Sequence, residues 1–204
     1  MKANTFFSIL ATLCFFLITT NLSAQDDKLV IIPTYDTYVT CSSKDTKSFS
    51  SEEFLKTRNR ISDPSEKLES YIQFKIPKKQ YKNIANVTRA KFRILESGKG
   101  LKGEKDFRVA ILSENEWDNT LSGKQRKELK LGDKEVSKTI KSFTKLDGES
   151  EVWYEVDVTR FIKVLEEPVV SFRIYNKPQE EDTDSLIFYA SEVEGKGPEL
   201  IIEF

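Results

Sequence analysis

The sequence predicts an all-β protein, an antiparallel jelly-roll β-sandwich with one or two short helical segments. Apolar and polar residues alternate with a period of two in many short stretches, which is the pattern of half-buried strands. These stretches are rich in β-branched and aromatic residues, and turn-forming sequences such as SDPSEK, LDGES and EGKGP separate them. Because helical periodicity is scarce, a sandwich of many short strands is the expected architecture.

The first 24 residues have the layout of a secretory signal peptide. Lys2 precedes an apolar run from about Phe6 to Thr20, and Leu-Ser-Ala stands immediately before Gln25. This run is too short to span a bilayer comfortably. We therefore expect cleavage after Ala24, a secreted or periplasmic location, and a single domain over residues 25–204 without a membrane span.

Eleven later segments have the composition and alternation of strands. They are residues 28–33, 36–40, 54–59, 70–76, 88–96, 107–112, 135–143, 151–156, 169–176, 186–190 and 199–204. Short helices are predicted in SGKQRKELKLG and in VTRFIKVLEE, where Phe161, Val164 and Leu165 have helical spacing.

Alternation within the strands also predicts which side chains face the core. The inward set includes Ile72, Phe74, Ile76, Phe92, Ile94, Phe107, Val109, Phe172 and Ile174, and each large apolar side chain gains roughly 1.5–3 kcal/mol on burial. The outward set is mostly basic or aromatic, and Glu69 is its nearest acidic exception. Its members are Lys56, Arg58, Arg60, Tyr71, Gln73, Lys75, Lys91, Arg93, Arg108, Arg173 and Tyr175.

Composition argues against several classes of function. The 32 basic and 33 acidic residues nearly cancel, so bulk charge predicts no polyanionic partner such as a nucleic acid, and any preference for a polyanion must come from the arrangement of charges. The sequence contains no histidine, which removes Ser-His and Cys-His nucleophile pairs, the common zinc sites and the most usual general base. We therefore expect a protein without enzymatic activity.

The stretch FLKTRNRI places three cations on one side of an extended segment. Lys56, Arg58 and Arg60 alternate with Thr57 and Asn59, and a guanidinium can bind a carboxylate through two parallel hydrogen bonds. Such a row suits a ligand with repeated carboxylates or sulfates. The alternative is an ordinary solvated sheet surface, with the basic residues divided between the two outer faces of the sandwich.

Eight motifs, in this order along the chain, resemble those of one protein family. They are DTYV, FLKTRN, SYIQFKIP, VTRAKFRI, EWDNTL, WYEVDVTRFI, SFRIYN and FYASEVEGKGPELIIEF. Their order is similar to that of the DNRLRE-domain proteins, which are also grouped as family 96 carbohydrate-binding modules. The resemblance extends over almost all of the chain that follows the signal segment, from about Lys28 to Phe204.

The resemblance implies a jelly-roll sandwich from a secreted polysaccharide-active protein that binds its ligand and does not cleave it. Alginate is the ligand most associated with the family, and the family's basic residues after the opening strand correspond to Lys56 and Arg58. The chain departs from the family pattern at EWDNTLSGKQRKELKL, where a charged insertion replaces a Thr-Trp element.

We therefore predict a non-catalytic module that binds an alginate- or pectin-like polysaccharide through a basic strand face. Tyr71 and Tyr175 are the expected stacking platforms for sugar rings, whereas Trp117 is expected to anchor a loop. The predicted ligand-binding residues are Lys56, Arg58, Arg60, Tyr71, Gln73, Arg93, Arg108, Arg173 and Tyr175. Other cell-surface or polysaccharide-degrading proteins are a second expected class of partner.

Two other functions remain open on the sequence alone. One is a structural or adhesion subunit at the cell surface that does not bind sugar. The other is a polysaccharide lyase in which Tyr71 is the base while Gln73 and Arg93 neutralise a uronate carboxylate. A structural Ca²⁺ held by Asp36 with Glu192 or Glu194 is a further expectation, because calcium needs six to eight oxygen ligands and the two ends of a sandwich chain can be adjacent. No other cofactor is expected.

Overall fold

The computed structural model describes residues 28–99, 104–146, 148, 150–176 and 185–204, so the predicted signal segment lies outside the described residues. All eleven predicted strands are confirmed, with small shifts at their ends. They are β1 (Lys28–Ile31), β2 (Tyr35–Thr40), β3 (Phe54–Thr57), β4 (Leu68–Lys75), β5 (Arg89–Leu95), β6 (Lys105–Leu112), β7 (Ser137–Lys145), β8 (Trp153–Asp157), β9 (Val169–Asn176), β10 (Leu186–Tyr189) and β11 (Glu199–Glu203).

The strands form two facing layers, and every described strand pair is antiparallel. One layer contains the four-stranded sheet β1-β11-β5-β8, which a bridge between Glu96 and Phe188 connects to the two-stranded sheet β10-β3. The other layer is the five-stranded sheet β2-β4-β9-β6-β7. The chain crosses repeatedly between the layers, and the predicted all-β sandwich is confirmed.

Aromatic side chains from both layers meet in the core. Phe92 of β5 stacks on Phe172 of β9 with ring centroids 4.5 Å apart, and Phe74 of β4 contacts both rings edge-on at 6.0 Å. All three are fully buried, as their alternation predicts. Edge-to-face and stacked ring pairs of this kind contribute about 0.5–1.5 kcal/mol of stability beyond that from burying their apolar area.

Short helices connect the strands. They are α1 (Lys78–Tyr81), α2 (Gly123–Glu128) and α3 (Thr159–Ile162), with 3₁₀ turns at Pro64–Glu66 and Ile84–Asn86, so the described chain has more short helices than the one or two predicted. The two predicted helical segments are confirmed as α2 and α3. Val164, however, is 73% exposed and does not share the buried side of Phe161 and Leu165. No helix in the described part of the chain has the length and apolar character that crossing a membrane requires.

Residues 113–136, here called the covering segment, lie over the outer face of the five-stranded sheet. The segment contains α2, which begins with a capping box: Ser122 Oγ accepts from the Gln125 N–H, and Gln125 Oε1 accepts from the Ser122 N–H. The segment and the sheet together form a second apolar cluster. The sheet contributes Val39, Tyr71 and Leu112, and the segment contributes Trp117, Leu121 and Leu131. As a result β4 is buried at every position except Lys75.

The two layers are also linked by main-chain hydrogen bonds at the edge where β3 lies. The Arg58 N–H donates to Leu68 O at 3.1 Å, and the Leu68 N–H donates to Arg58 O at 3.0 Å. This bridge holds the residues that follow β3 against the start of β4, and so fixes the position of the predicted cationic row.

Candidate functional site

The predicted cationic row occupies the outward side of β3 and of the residues that follow it. Leu55, Thr57 and Asn59 are buried, whereas Lys56, Arg58 and Arg60 are partly exposed, so the expected alternation is confirmed. The three basic side chains therefore project from one face of the same extended segment.

The Glu66 carboxylate partly neutralises the positive charge of the two arginines in this row. Arg58 Nε and Nη2 donate to the main-chain oxygen of Glu66 at 3.1 and 2.8 Å, and Arg58 Nη2 lies 3.6 Å from Glu66 Oε2. Arg60 Nε lies 3.8 Å from the same carboxylate oxygen. Because Glu66 is more than half exposed, such ion pairs contribute only about 0–1 kcal/mol each. A single carboxylate is thus the ion-pair partner of two guanidiniums.

Lys56 lies against the ring of Tyr38. Its Nζ donates to the Tyr38 hydroxyl at 3.2 Å and lies 4.9 Å from the centre of the Tyr38 ring. Tyr38 stacks on Phe49 with centroids 4.3 Å apart, and Lys47 Nζ lies 4.5 Å from the Phe49 ring. The result is a continuous arrangement of two ammonium groups and two rings.

A similar arrangement lies on the other side of Lys56. Phe54 shares the outward face of β3 and is paired with Tyr189 of β10, their ring centroids being 5.6 Å apart. Lys99 Nζ lies 4.2 Å from the Phe54 ring. Within the described residues, the ammonium groups of Lys47, Lys56 and Lys99 have no carboxylate partner, although Glu52 and Glu53 immediately precede Phe54.

We call this region the β3 surface. It comprises Tyr38, Lys47, Phe49, Phe54, Lys56, Arg58, Arg60, Lys99 and Tyr189. Sequence analysis found only its three central cations, because they share one strand. Phe54, two residues before Lys56, could have been found by the same alternation, whereas Lys47, Phe49 and Lys99 come from loops without a periodic signal.

Tyr71 and Arg173 are not exposed, and the prediction that they face a ligand is wrong. The covering segment encloses both, and the Tyr71 hydroxyl donates to Glu69 Oε2 at 2.8 Å. Arg173 donates to the two oxygens of Glu69 at 2.9 and 2.6 Å. Burial and the Glu69 charge raise the pKa of Tyr71 well above its ordinary value, which disfavours the tyrosinate that the lyase alternative requires.

Arg126 of α2 completes this buried network by donating to Glu69 Oε2 at 2.9 Å and to the Tyr71 hydroxyl at 3.0 Å. Burial disfavours the Glu69 carboxylate, but the guanidiniums of Arg173 and Arg126 outweigh it and hold the pKa of Glu69 well below its usual range. Glu69, Tyr71 and Arg173 are buried and Arg126 is only 13% exposed, so four polar side chains of the sheet and α2 satisfy each other largely out of contact with solvent.

Gln73 is also buried, so the prediction that it lies on an exposed, ligand-facing surface is wrong. Its Nε2 donates to the main-chain oxygens of Asn115 and Trp117 at 2.9 and 3.3 Å, which holds the start of the covering segment on β4. Trp117 is buried as well, and its Nε1 donates to Ser171 Oγ at 3.2 Å. The prediction that Trp117 anchors a loop is confirmed.

Arg93 lies on the outer face of the opposite layer. It donates to Glu199 at 2.7 Å, lies 4.3 Å from the Trp153 ring, and has Lys91 beside it, paired with Glu155. It is therefore separated from Tyr71 and Gln73 by the core, and the three groups required for the lyase alternative do not share a site. The predicted single cationic face, joining β3 with Arg93 and Arg108, does not form.

Arg108 and Tyr175 lie together on the uncovered end of the five-stranded sheet. They are directly opposite each other in the β6–β9 register, and the Tyr175 hydroxyl lies 2.6 Å from Thr139 Oγ1. The guanidinium of the buried Arg173 lies 4.1 Å from the Tyr175 ring. This pair is distant from the β3 surface, because β6 is the fourth strand from the β2 edge.

The proposed calcium ligands do not form a metal site. Asp36 is buried and accepts hydrogen bonds from the Ser191 N–H at 2.8 Å and from Ser191 Oγ at 3.0 Å, which confirms that the two ends of the sandwich meet. Burial, with a smaller contribution from Glu192, raises the pKa of Asp36 to about 6. In the described part of the chain, no group of three or more His, Cys, Asp or Glu side chains could hold a metal ion.

Comparison with known proteins agrees with the β-sandwich fold. The model of carbohydrate-binding module family 96 matches residues 28–204, which include both layers of the sandwich and the β3 surface. No curated protein matches the chain. Since the match extends over well more than half of the chain, the protein belongs to carbohydrate-binding module family 96.

Proposed function

We propose that the protein binds an acidic polysaccharide of the alginate or pectin type through the β3 surface, and that it acts by binding without catalysis. Membership of a carbohydrate-binding family supports a polysaccharide ligand. The observation that carries the proposal is the position of the ammonium groups of Lys47, Lys56 and Lys99, which lie over aromatic rings at one edge and have no carboxylate partner in the described part of the chain.

The contacts that these lysines make within the protein are weak enough for a ligand to replace. An exposed cation–π contact contributes about 0.5–1 kcal/mol, whereas a hydrogen bond from an ammonium to a carboxylate is roughly twice as strong as a neutral one. Lys47 and Lys99 are exposed and have long flexible stems. Their charged ends can therefore reach a carboxylate beside the rings.

The arginines extend the same surface along the chain direction. Side chains two apart in an extended segment are spaced by about 6.6–6.8 Å, so Lys56, Arg58 and Arg60 form a line that a linear polymer can follow. A ligand carboxylate can replace the Glu66 carboxylate, which is exposed and shared by two arginines. The rings of Phe49 and Phe54 add apolar area for the C–H faces of sugars.

Binding of this kind is sensitive to salt. Exposed charges are screened over about 8–10 Å at physiological ionic strength. We expect micromolar-to-millimolar affinity that falls as salt is added.

Affinity electrophoresis in gels containing alginate or pectin, at low and at high salt, tests the proposal. The intact protein is expected to be retarded at low salt, and Lys56→Ala and Lys47→Ala to be retarded less. Lys163→Ala is the matched control, because it removes the same charge from an exposed position at the end of α3. Absence of retardation at low salt would refute the proposal, and an equal loss in Lys163→Ala would assign the effect to net charge alone.

A secreted or periplasmic location is part of the same proposal. It is supported by the apolar run and the Leu-Ser-Ala sequence of the first 24 residues. N-terminal sequencing of the exported protein is expected to begin at Gln25, and recovery of the uncleaved chain from the cytoplasm would contradict it.

A structural or adhesion subunit is the second candidate function. It is favoured by the exposed apolar side chains near the sheet-end strand β1, where Val30 is 49% and Ile32 is 71% exposed. This function predicts association that depends on protein concentration and is weakened by Ile32→Ser. Light scattering after size-exclusion chromatography, with and without the polysaccharide, separates it from sugar binding.

A further inference from the structure

The covering segment leaves one end of the five-stranded sheet open. The side chains on this uncovered surface, here called the β6–β7 patch, are Asp106, Arg108, Thr139, Ser142, Thr144 and Tyr175. Arg108 is at the centre, opposite Ser142 of β7 and Tyr175 of β9. The neighbouring Ala110, two residues along β6, is fully buried and marks where the covered surface begins.

Arg108 has a donor that nothing in the described residues satisfies. Its Nε is buried and has no hydrogen-bond partner among the described residues, and none of the described carboxylates is paired with its guanidinium. This differs from the other arginines that sequence analysis singled out, because Arg58, Arg60, Arg93 and Arg173 are each close to a glutamate. An unsatisfied buried donor on a cation costs more than a neutral one, and only an acceptor, most favourably an anion, can relieve it.

The surroundings of Arg108 offer both donors and acceptors. Thr144 Oγ1 donates to Asp106 Oδ1 at 2.6 Å, and the exposed hydroxyl of Ser142 faces the same depression. Sugar hydroxyls need partners of both kinds. Asp106 can accept from them, whereas Ser142 and Tyr175 can donate to them.

The size of the depression limits what it can hold. Its volume is about 260 Å³, and Phe143 lines it together with Asp106, Arg108, Ser142 and Thr144. Small-molecule pockets usually measure about 300–1,000 Å³. The depression therefore suits a single sugar unit whose carboxylate or sulfate contacts Arg108.

We propose that the β6–β7 patch is a second binding subsite for one anionic sugar unit of an acidic polysaccharide, separate from the β3 surface. The inference rests on the proposed function, because it takes the same class of ligand. In this subsite Arg108 binds the carboxylate or sulfate of the sugar unit. Ser142 and Asp106 bind the hydroxyls of the same sugar unit.

The two subsites belong to different sides of the sandwich. The β3 surface lies at the edge of β2, and β6 is three strands away from β2, which at about 4.8 Å a strand is roughly 14 Å. The β6–β7 patch, moreover, faces outward from the five-stranded layer. One protein can then hold two polysaccharide segments at once, which increases the strength of attachment to a long polymer without any new contact.

Titration calorimetry with a uronate hexasaccharide tests the second subsite through its stoichiometry. The intact protein is expected to bind two oligosaccharides, Arg108→Ala and Lys56→Ala one each, and the double variant none. Lys138→Ala, which removes an exposed cation from the neighbouring strand β7, is the matched control and should retain two. Arg108→Gln is a second variant that keeps the length of the side chain, and the thermal midpoint of each variant confirms folding.

A second readout uses the intact polymer. The intact protein is expected to cross-link long alginate chains and raise the turbidity of the mixture, whereas either single variant binds the chains without cross-linking them. One oligosaccharide per intact protein, with Arg108→Ala and Arg108→Gln unchanged, would overturn the second subsite and leave the proposed function standing. No binding by the intact protein would overturn both.

Discussion

Arg173 donates to both carboxylate oxygens of Glu69, at 2.9 and 2.6 Å, where both side chains are almost completely withdrawn from solvent. Arg126 of the covering segment donates to the same carboxylate at 2.9 Å, and Lys67 Nζ lies 3.3 Å from it. One negative charge therefore joins two strands of the sheet to the segment that covers them. Removing one of these charged side chains is expected to destabilise the fold, because the remaining charges lose their counter-charge.

Replacing Glu69 by Gln is expected to destabilise the fold by about 3–5 kcal/mol, since the guanidiniums of the buried Arg173 and the largely buried Arg126 lose their counter-charge. Urea unfolding followed by tryptophan fluorescence measures the change. Glu66→Gln is the control, because it removes an exposed carboxylate shared by two arginines and should cost about 0–1 kcal/mol. Equal effects of the two substitutions would show that the buried network contributes little.

Acid should weaken the same network. The folded-state pKa of Glu69 lies below its ordinary value of 4.5, so the folded protein binds fewer protons than the unfolded chain in this range. The stability that Glu69 contributes is complete above about pH 4.5 and is lost as the pH falls toward the folded-state pKa. Unfolding midpoints measured from pH 5 downward should fall more steeply for the intact protein than for Glu69→Gln, and parallel curves would contradict this.

Asp36 should have the opposite dependence in a higher range of pH. Its folded-state pKa is raised from 3.8 to about 6, so between these values the folded protein holds a proton that the unfolded chain has released. Stability should therefore decrease as the pH rises from about 4 to 6, by about 3 kcal/mol for a shift of roughly two units.

Urea unfolding between pH 4 and 7 measures this dependence. Asp36→Asn should remove it, and Glu192→Gln should move it to lower pH because Glu192 adds to the shift. A pH profile of Asp36→Asn that matches the intact protein would assign the dependence to another group.

Gly123 should not tolerate alanine, although it is the first residue of α2. A Cβ atom there would lie 2.4 Å from Ser42 O and 2.7 Å from Thr40 O, both main-chain atoms. Helix propensity alone favours alanine by about 1 kcal/mol, whereas overpacking typically costs 1–3 kcal/mol. Gly123→Ala is therefore expected to lower the free energy of unfolding, and Lys124→Ala, at the next and exposed position, to change it by less than about 0.5 kcal/mol. Stabilisation by Gly123→Ala would contradict the close approach.

Alternation predicted the directions of side chains but not what covers them. Tyr71 and Arg173 point away from the main core as expected, yet residues 113–136 enclose them. That segment gave no periodic apolar signal, because Trp117, Leu121 and Leu131 are isolated among polar residues. The useful signal was Glu69, an acidic residue among outward cations, which pairs with Arg173 of that set and with Arg126 of the covering segment.

The candidate site was predictable only where it follows one strand. Lys56, Arg58 and Arg60 share a face because consecutive alternate residues of an extended segment must do so. Lys47, Phe49 and Lys99 reach the same surface from separate loops, and Tyr189 from a strand more than 130 residues away. Contacts between segments so far apart in sequence depend on how the two layers pack together. The alternation of residues within one strand carries no information about this packing.

Because the covering segment forms a third layer over part of the sheet, β4 and β9 lie between two apolar clusters. Their amide groups are hydrogen-bonded on both sides within the sheet and shielded above and below it. Deuterium should therefore enter these two strands last, at a rate set by unfolding of the whole domain, while the loops that carry Lys47 and Lys99 exchange early. The slowest exchange is therefore expected in the two central strands, and the fastest in the loops that contribute to the proposed binding surface.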